Sequence, residues 1–325
     1  MGKMAAEIGL QEIIQARKVL FALFSRYGDV IISLGVIKEF MERYPDKQYF
    51  LVTSPQMHPY AERLVGHQAK IMSFNKRRNF IKLLKIVSFL KKEKIDLGFN
   101  PWSGGDDARF IITYAGKFNF YEGFIGISNL YDRIRDYLRL PKGDRLQPAW
   151  NLDNIKRILI CPRSTALNKS LGDADLRTLV QWVRQKLPAA GITIALHQEE
   201  AKGKGGLGEI FVFRKSRAAS AQFLRLMENA DLVISVDAGP LHLADKLGIR
   251  TIGIFGPTTP QGVLDRVTQV VPLRDPSLAP FFCSAPCHDP RCLRRLLEGD
   301  LLEHQVKNYG EEDEVQWEME RCRLG

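Results

Sequence analysis

The run Val19-Leu20-Phe21-Ala22-Leu23-Phe24 leads into the turn Tyr27-Gly28-Asp29, and the reading of this stretch decides the fold. Six consecutive apolar residues flanked by charge are too few for a helix and read as a buried strand. After the turn, Val30, Leu34, Ile37 and Met41 recur at helical spacing until Pro45. A buried strand followed at once by a helix is half of a βα unit. Strand-like runs return at 49–53, 70–74 and 96–100 with helical stretches between them, so a parallel sheet covered on both faces is expected.

Further along, the alternation starts again. Strands are expected at 157–161, 193–196, 209–213, 232–236 and 251–255, and helices at 173–187, 220–229 and 240–247. The stretch 140–154 holds two prolines and a glycine among mixed polar residues and reads as a linker. The expected architecture is α/β, with two doubly wound Rossmann-like domains facing across a cleft. Residues 17–150 form the first domain, 151–300 the second and 301–325 a tail. In such domains ligands bind at the carboxyl ends of the strands. Residues 202–208, Lys-Gly-Lys-Gly-Gly-Leu-Gly, form a loop with no helix after it, a weak match to a phosphate-binding loop.

At 325 residues the chain is long enough for two cores. No apolar run reaches the ~18 residues of a membrane span, and the first fifteen residues lack the pattern of a signal peptide. A cytoplasmic location with reduced cysteines is therefore expected. The net charge of +10 is unevenly spread: residues 1–150 hold 24 Lys+Arg against 15 Asp+Glu, and residues 151–325 hold 23 against 22. A field concentrated in the first half suits an anionic partner, although a basic surface also serves solubility alone.

Four sites can carry chemistry. Asp29, directly after the first strand, stands where a helix N-terminus keeps a carboxylate ionised and able to take a proton from an attacking hydroxyl; capping of the helix is the alternative. Ser235-Val236-Asp237-Ala238-Gly239-Pro240-Leu241-His242 leaves an apolar strand and opens a helix. Gly239 allows close backbone approach, the amides beyond it favour an anion, and His242 follows within a turn. Pro240 suits the first helical turn. Cys161-Pro162-Arg163-Ser164-Thr165-Ala166-Leu167-Asn168-Lys169 brings hydroxyls and a lysine to a strand's end, and Phe255-Gly256-Pro257-Thr258 is a further turn of that kind.

Taken together, these motifs resemble glycosyltransferase family 9, the heptosyltransferases of the GT-B fold. The matching residues are the small-residue loop ending in Gly28-Asp29, the Asp237-x-Gly239-x-x-His242 motif, Phe255–Thr258, and Thr165 with Lys169, in the family's order over 17–292. The resemblance implies that Asp29 is the catalytic base of an inverting transfer and that Thr165 and Lys169 hold the donor diphosphate. It further implies that Asp237, Gly239, His242 and Thr258 line the donor site and that Arg26 and Gly28 meet the acceptor. The implied donor is ADP-heptose and the implied acceptor an anionic glycolipid, the lipopolysaccharide core. No cofactor, metal or nucleic acid is implied. Two positions depart from the family: Leu23 stands where a basic residue is common, and His197-Gln198-Glu199-Glu200 replaces a Gly-Gly-Pro turn.

Cys283, Cys287 and Cys292 are spaced C-x3-C-x4-C, with His288 between them and Cys322 far beyond; without a paired fourth ligand the set reads as structural, and a metal site is the alternative. The stretch 76–92, from Lys76-Arg77-Arg78 to Lys91-Lys92, is a basic amphipathic helix candidate. It suits docking on anionic lipid at the cytoplasmic face of the inner membrane, or a sheet-covering helix with a basic solvent face. The acidic run 311–314 reads as a solvated helix start. Other GT-B enzymes acting on a different nucleotide sugar, or a non-catalytic binding protein of the same fold, are the competing functions.

Overall fold

The computed structural model describes residues 8–73, 80–102, 106–120, 129–146, 148–203 and 206–274. Cys283, Cys287, His288, Cys292, Cys322, the acidic run and Lys76–Arg78 lie outside the described residues. Two compact units are present. One comprises Met1–Gly126, Leu130–Lys142 and Lys215–Leu224; the other comprises Ile127–Asn129, Gly143–Arg214 and Arg225–Gly325.

In the first unit, a short helix α1 (Leu10–Gln15) precedes β1 (Lys18–Leu23), α2 (Tyr27–Arg43), β2 (Gln48–Thr53), α3 (His58–Val65), β3 (Ala69–Ser73), α4 (Phe80–Glu93), β4 (Leu97–Asn100), α5 (Asp106–Ile112), β5 (Lys117–Phe120) and α6 (Leu130–Tyr137). All pairings are parallel and the strand order is β3-β2-β1-β4-β5. The sheet is wound on both faces, which is why β1 and β2 read as nearly unbroken apolar runs. On one face Phe21, Phe40, Tyr49 and Phe99 stack with ring centroids 5.7–6.4 Å apart, sealing α2 against the sheet. Buried Arg135 on α6 grips Glu39 of α2 with two hydrogen bonds of 2.7 and 2.8 Å. On the other face Leu20, Ala22, Phe50 and Val52 pack with Ile86 and Leu90 of α4 and Ala108, Ile111 and Ile112 of α5. Gly98 sets the approach of α5: a Cβ there would stand 2.7 Å from the Ile112 side chain.

The second unit repeats the plan with β6 (Arg157–Cys161), α7 (Asp173–Lys186), β7 (Gly191–His197), β8 (Glu209–Phe213), β9 (Leu232–Val236), α9 (Gly239–Lys246), β10 (Thr251–Phe255), α10 (Pro260–Val263) and β11 (Val270–Arg274), while α8 (Arg217–Glu228) begins in the first unit and ends in the second. Its six parallel strands run β11-β10-β9-β6-β7-β8. Counted within the unit, this is the 3-2-1-4-5-6 order of dinucleotide-binding sheets. Its core joins Ile158, Ile160, Ile194, Leu232, Ile234 and Ile254 of the strands to Leu176, Leu179, Val180 and Val183 of α7. Gly253 lets α9 lie close on β10, since a Cβ there would meet Leu241, Phe255 and Val270 side chains at 2.7–2.9 Å.

The strand order fixes where a ligand can sit. Each sheet reverses its winding once, between β1 and β4 in the first and between β6 and β9 in the second, and sheets of this kind bind ligands beyond the carboxyl ends of the strands at that point. Asp29 follows β1, whereas Lys169 follows β6 and Asp237 follows β9. Every charged candidate therefore lies at a switch point.

Candidate functional site

At the second switch point the candidates converge on one carboxylate. Lys169 ends a single 3-10 turn, Leu167–Lys169, in the loop leaving β6. That loop is braced from within: the Ser164 amide donates to Ser170 Oγ at 2.9 Å, and the Leu171 amide donates to the Pro162 carbonyl at 2.9 Å. Arg163 reaches the Leu171 carbonyl, Asp173 at 3.0 Å and Glu200 at 3.0 Å. Glu200 belongs to the turn after β7 that departs from the family pattern, and here it clamps the base of the lysine loop. Held in this way, Lys169 Nζ donates to Asp237 Oδ2 at 2.6 Å.

Asp237 is 6% exposed and its amide donates to the Ile254 carbonyl at 3.1 Å, tying it to β10. The buried hydroxyl of Thr258, in the turn after β10, donates to the same Oδ2. His242, one turn into α9, places Nε2 3.7 Å from Oδ1. Burial pushes the Asp237 carboxyl upward, but contact with His242 and the positive charge of Lys169 more than offset it. The carboxyl is held well below the usual carboxylate range and stays ionised. Gly239 opens α9 beside it, with Ala238 as the extended residue before the helix and Pro240 in its first turn. The half-exposed start of α9 and the partly exposed Lys169 ammonium together offer positive potential to a phosphate.

Five of the six expected donor residues thus lie together beyond the carboxyl ends of β6, β9 and β10. Thr165 lies exposed on the β6 loop and, among the described residues, makes no hydrogen bond to the Asp237 cluster. Residue spacing alone does not reveal that Thr258 and Lys169 share one oxygen of Asp237.

The first switch point is built differently. Arg26 is the exposed residue immediately before α2 and makes no side-chain capping bond. Gly28 and Asp29 are half-buried in the first helical turn. Asp29 is the third residue of α2, three positions after the N-cap Arg26. Ser25 Oγ donates to Asp29 Oδ2 at 2.8 Å, and Ser33 Oγ donates to the Asp29 carbonyl at 2.8 Å. Ser25 was not singled out in the sequence; its position four residues before a first-turn carboxylate is the signal that could have found it. Thr53 at the end of β2 bonds the Leu23 carbonyl at 2.8 Å and fixes the edge from which the Asp29 turn departs.

Residues 217–270 match the model of glycosyltransferase family 9 (heptosyltransferase). The resemblance read from the sequence holds. The matched segment contains Asp237, Gly239, His242 and Thr258. No curated protein matches the chain in sequence. Among solved structures, Escherichia coli ADP-heptose lipopolysaccharide heptosyltransferase II aligns at a TM-score of 0.61 and 14% identity, covering 90% of this chain and 99% of its own. E. coli heptosyltransferase WaaC with ADP aligns at 0.60 and 15% identity, covering 89% and 99%. The iron-containing dodecameric glycosyltransferase TibC of enterotoxigenic E. coli aligns at 0.56 and 12%, covering 92% and 77%. At these identities the likeness establishes the GT-B-like α/β fold.

The described residues contain no group of three or more His, Cys, Asp or Glu placed to hold a metal ion. Cys161, the described cysteine, is buried, and burial pushes its thiol up. None of the described helices is long and apolar enough to cross a membrane.

Proposed function

We propose that this protein is an inverting glycosyltransferase of family 9 that moves a heptose from ADP-heptose to an anionic glycolipid acceptor, the lipopolysaccharide core. The observation that carries the reading is the buried Asp237 carboxylate with Lys169, His242 and Thr258 around it, beside the start of α9. It is supported by the family match over this segment and by a fold shared with a heptosyltransferase that binds ADP.

In this mechanism Lys169 and the Gly239 amide at the start of α9 take the donor diphosphate. Asp237 orients Lys169 through the 2.6 Å hydrogen bond, and Thr258 and His242 keep that carboxylate in place. Asp29, ionised near the start of α2 and oriented by Ser25, accepts the proton of the acceptor hydroxyl. The oxygen attacks the anomeric carbon, the bond from that carbon to the diphosphate breaks, and ADP leaves with the electron pair. Inversion follows from direct displacement. Arg26, exposed before α2, and Gly28 border the acceptor's approach. Lysine charge and the helix amide neutralise the departing diphosphate, so the step needs no added metal. The enzyme would work in the cytoplasm, in contact with the inner membrane that carries its acceptor.

The test is release of ADP from ADP-heptose with purified lipopolysaccharide acceptors of different truncation, beside a panel of other nucleotide sugars. Turnover confined to ADP-heptose and one core truncation is expected. Turnover with a UDP-sugar alone would replace the donor, and binding without turnover would leave a nucleotide- or glycolipid-binding protein.

A further inference from the structure

The α4–α5 face of the first unit carries a feature that a role as sheet cover does not explain. Ile86, Val87 and Leu90 of α4 are buried against the sheet, as a covering helix requires. The opposite side of α4 presents Ile81, Leu84, Lys85, Ser88 and Lys92 at intervals of three and four residues, all exposed. Ile81 is 67% exposed and Leu84 51%. Helix α5, on the same face of the sheet, adds Phe110 at 46% exposure.

The two helices join into one surface. The Lys91 ammonium lies 5.4 Å from the centre of the Tyr114 ring, which meets Phe110 edge-on with centroids 5.4 Å apart. Basic residues interleave with the apolar ones: Lys85, Lys91, Lys92 and Arg109 are exposed, and Lys70 at the sheet edge rests over Phe89 at 4.0 Å. The acidic side chains described on these helices are Glu93, paired with Lys18 at 2.8 Å, and half-buried Asp107. Apolar groups at the tips of a basic surface match an interface that is anionic outside and hydrocarbon beneath. Because α4 follows β3, its first turns, with Ile81 and Leu84, lie at the carboxyl edge of the sheet, where the Asp29 turn also lies.

We propose that the α4–α5 face is a docking surface for an anionic lipid bilayer. The helix α4 lies along the membrane with Ile81, Leu84 and Phe110 entering the headgroup layer and Lys85, Lys91, Lys92 and Arg109 on lipid phosphates. A lipid-anchored acceptor then meets the enzyme at the edge that bears Asp29. The docking stands on this surface alone and does not depend on which sugar is transferred.

Flotation of the full-length chain with phosphatidylcholine vesicles, with and without phosphatidylglycerol, tests the proposal. The parent is expected to float with the phosphatidylglycerol vesicles and to be released by salt, because exposed charges are screened over ~8 Å at physiological ionic strength. The variant K85Q/K91Q/K92Q/R109Q should lose about fivefold in partitioning per residue. The variant I81S/L84S/F110S should lose about tenfold per fully inserted side chain yet keep a residual, salt-sensitive binding. Both should keep the parent's affinity for ADP, which reports folding, and its turnover on a delipidated acceptor. Failure of all turnover with ADP-heptose would end the reading of the donor without touching vesicle binding. The docking surface is overturned if the parent ignores phosphatidylglycerol or if both variants float as the parent does. It is also overturned if the apolar variant changes only the solution mass, which would make this face a contact between copies of the chain.

Discussion

Asp29 and Asp237 both leave a strand at a switch point, and their surroundings differ. Asp237 is buried beside a lysine, a histidine and a threonine hydroxyl, and its charge is compensated before any ligand arrives. Asp29 is half-buried in the first turn of α2, where the Ser25 hydroxyl donates to its Oδ2 at 2.8 Å. A carboxylate gripped by cations is a poor proton acceptor, because protonation would forfeit those contacts. One in a polar, partly open turn remains able to accept a proton. In the proposed mechanism the same residue type at like positions in two sheets is divided between holding, at Asp237, and reacting, at Asp29.

The largest effect expected from this contrast is on turnover. Asp29→Asn should cut transfer by about 10²–10⁴, the range of a lost general base, while ADP affinity measured by calorimetry stays near that of the parent. Turnover near normal would break the division of roles at its reactive half.

Lys169→Ala acts on the other half. Loss of one charge-assisted contact to phosphate should weaken ADP binding by about 1.5–3 kcal/mol and slow transfer. Unchanged ADP affinity together with an unchanged rate would show that Lys169 serves only to neutralise Asp237.

A smaller effect concerns acid stability. The folded carboxyl of Asp237 is held below its unfolded value, so its contribution is complete above about pH 4, where the unfolded group is also ionised. As pH falls below about 4, the unfolded chain takes up a proton that the native site refuses, and stability is lost at up to about 1.4 kcal/mol per pH unit. Urea midpoints compared at neutral pH and near pH 3 should fall further for the parent than for Asp237→Asn. Equal falls would mean that the carboxylate is not compensated as the geometry indicates.

Much of this contrast was legible before the structure. Buried strands β1, β6, β9 and β10 announce themselves as apolar runs, and each ends at a turn whose Asp, Lys, Thr or Gly is visible by type. Two edge strands were not visible. The four residues of β5, Lys-Phe-Asn-Phe, are too few for a pattern, and β11 contains Pro272, which reads as a strand breaker but is tolerated at an edge. The pairing of Lys169 with Asp237 was also hidden. It depends on β6 lying next to β9, and sheet order is set by packing across 68 residues of chain, which no local period records. Likewise, the stretch around α4 left sheet cover and lipid docking open; the helix has a buried stripe for the first and exposed Ile81 and Leu84 that suit the second.

The smallest expected effect is none at all, and it probes what both switch points share. In the proposed mechanism the positive charge facing the diphosphate comes from Lys169 and the start of α9, and Asp29 works through a proton, so neither half assigns a task to a metal ion. The related fold of TibC belongs to an iron-containing protein, and Cys283, Cys287 and Cys292 of this chain lie outside the described residues. Dialysis against EDTA should leave the rate of ADP release and the ADP affinity unchanged, and metal analysis of the dialysed protein should show that chelation was complete. Loss of rate with intact ADP binding, restored by zinc, iron or magnesium, would place a metal in the chemical step. Loss of both, with a lowered thermal midpoint, would instead assign the cysteines a structural ion that supports the donor-side unit.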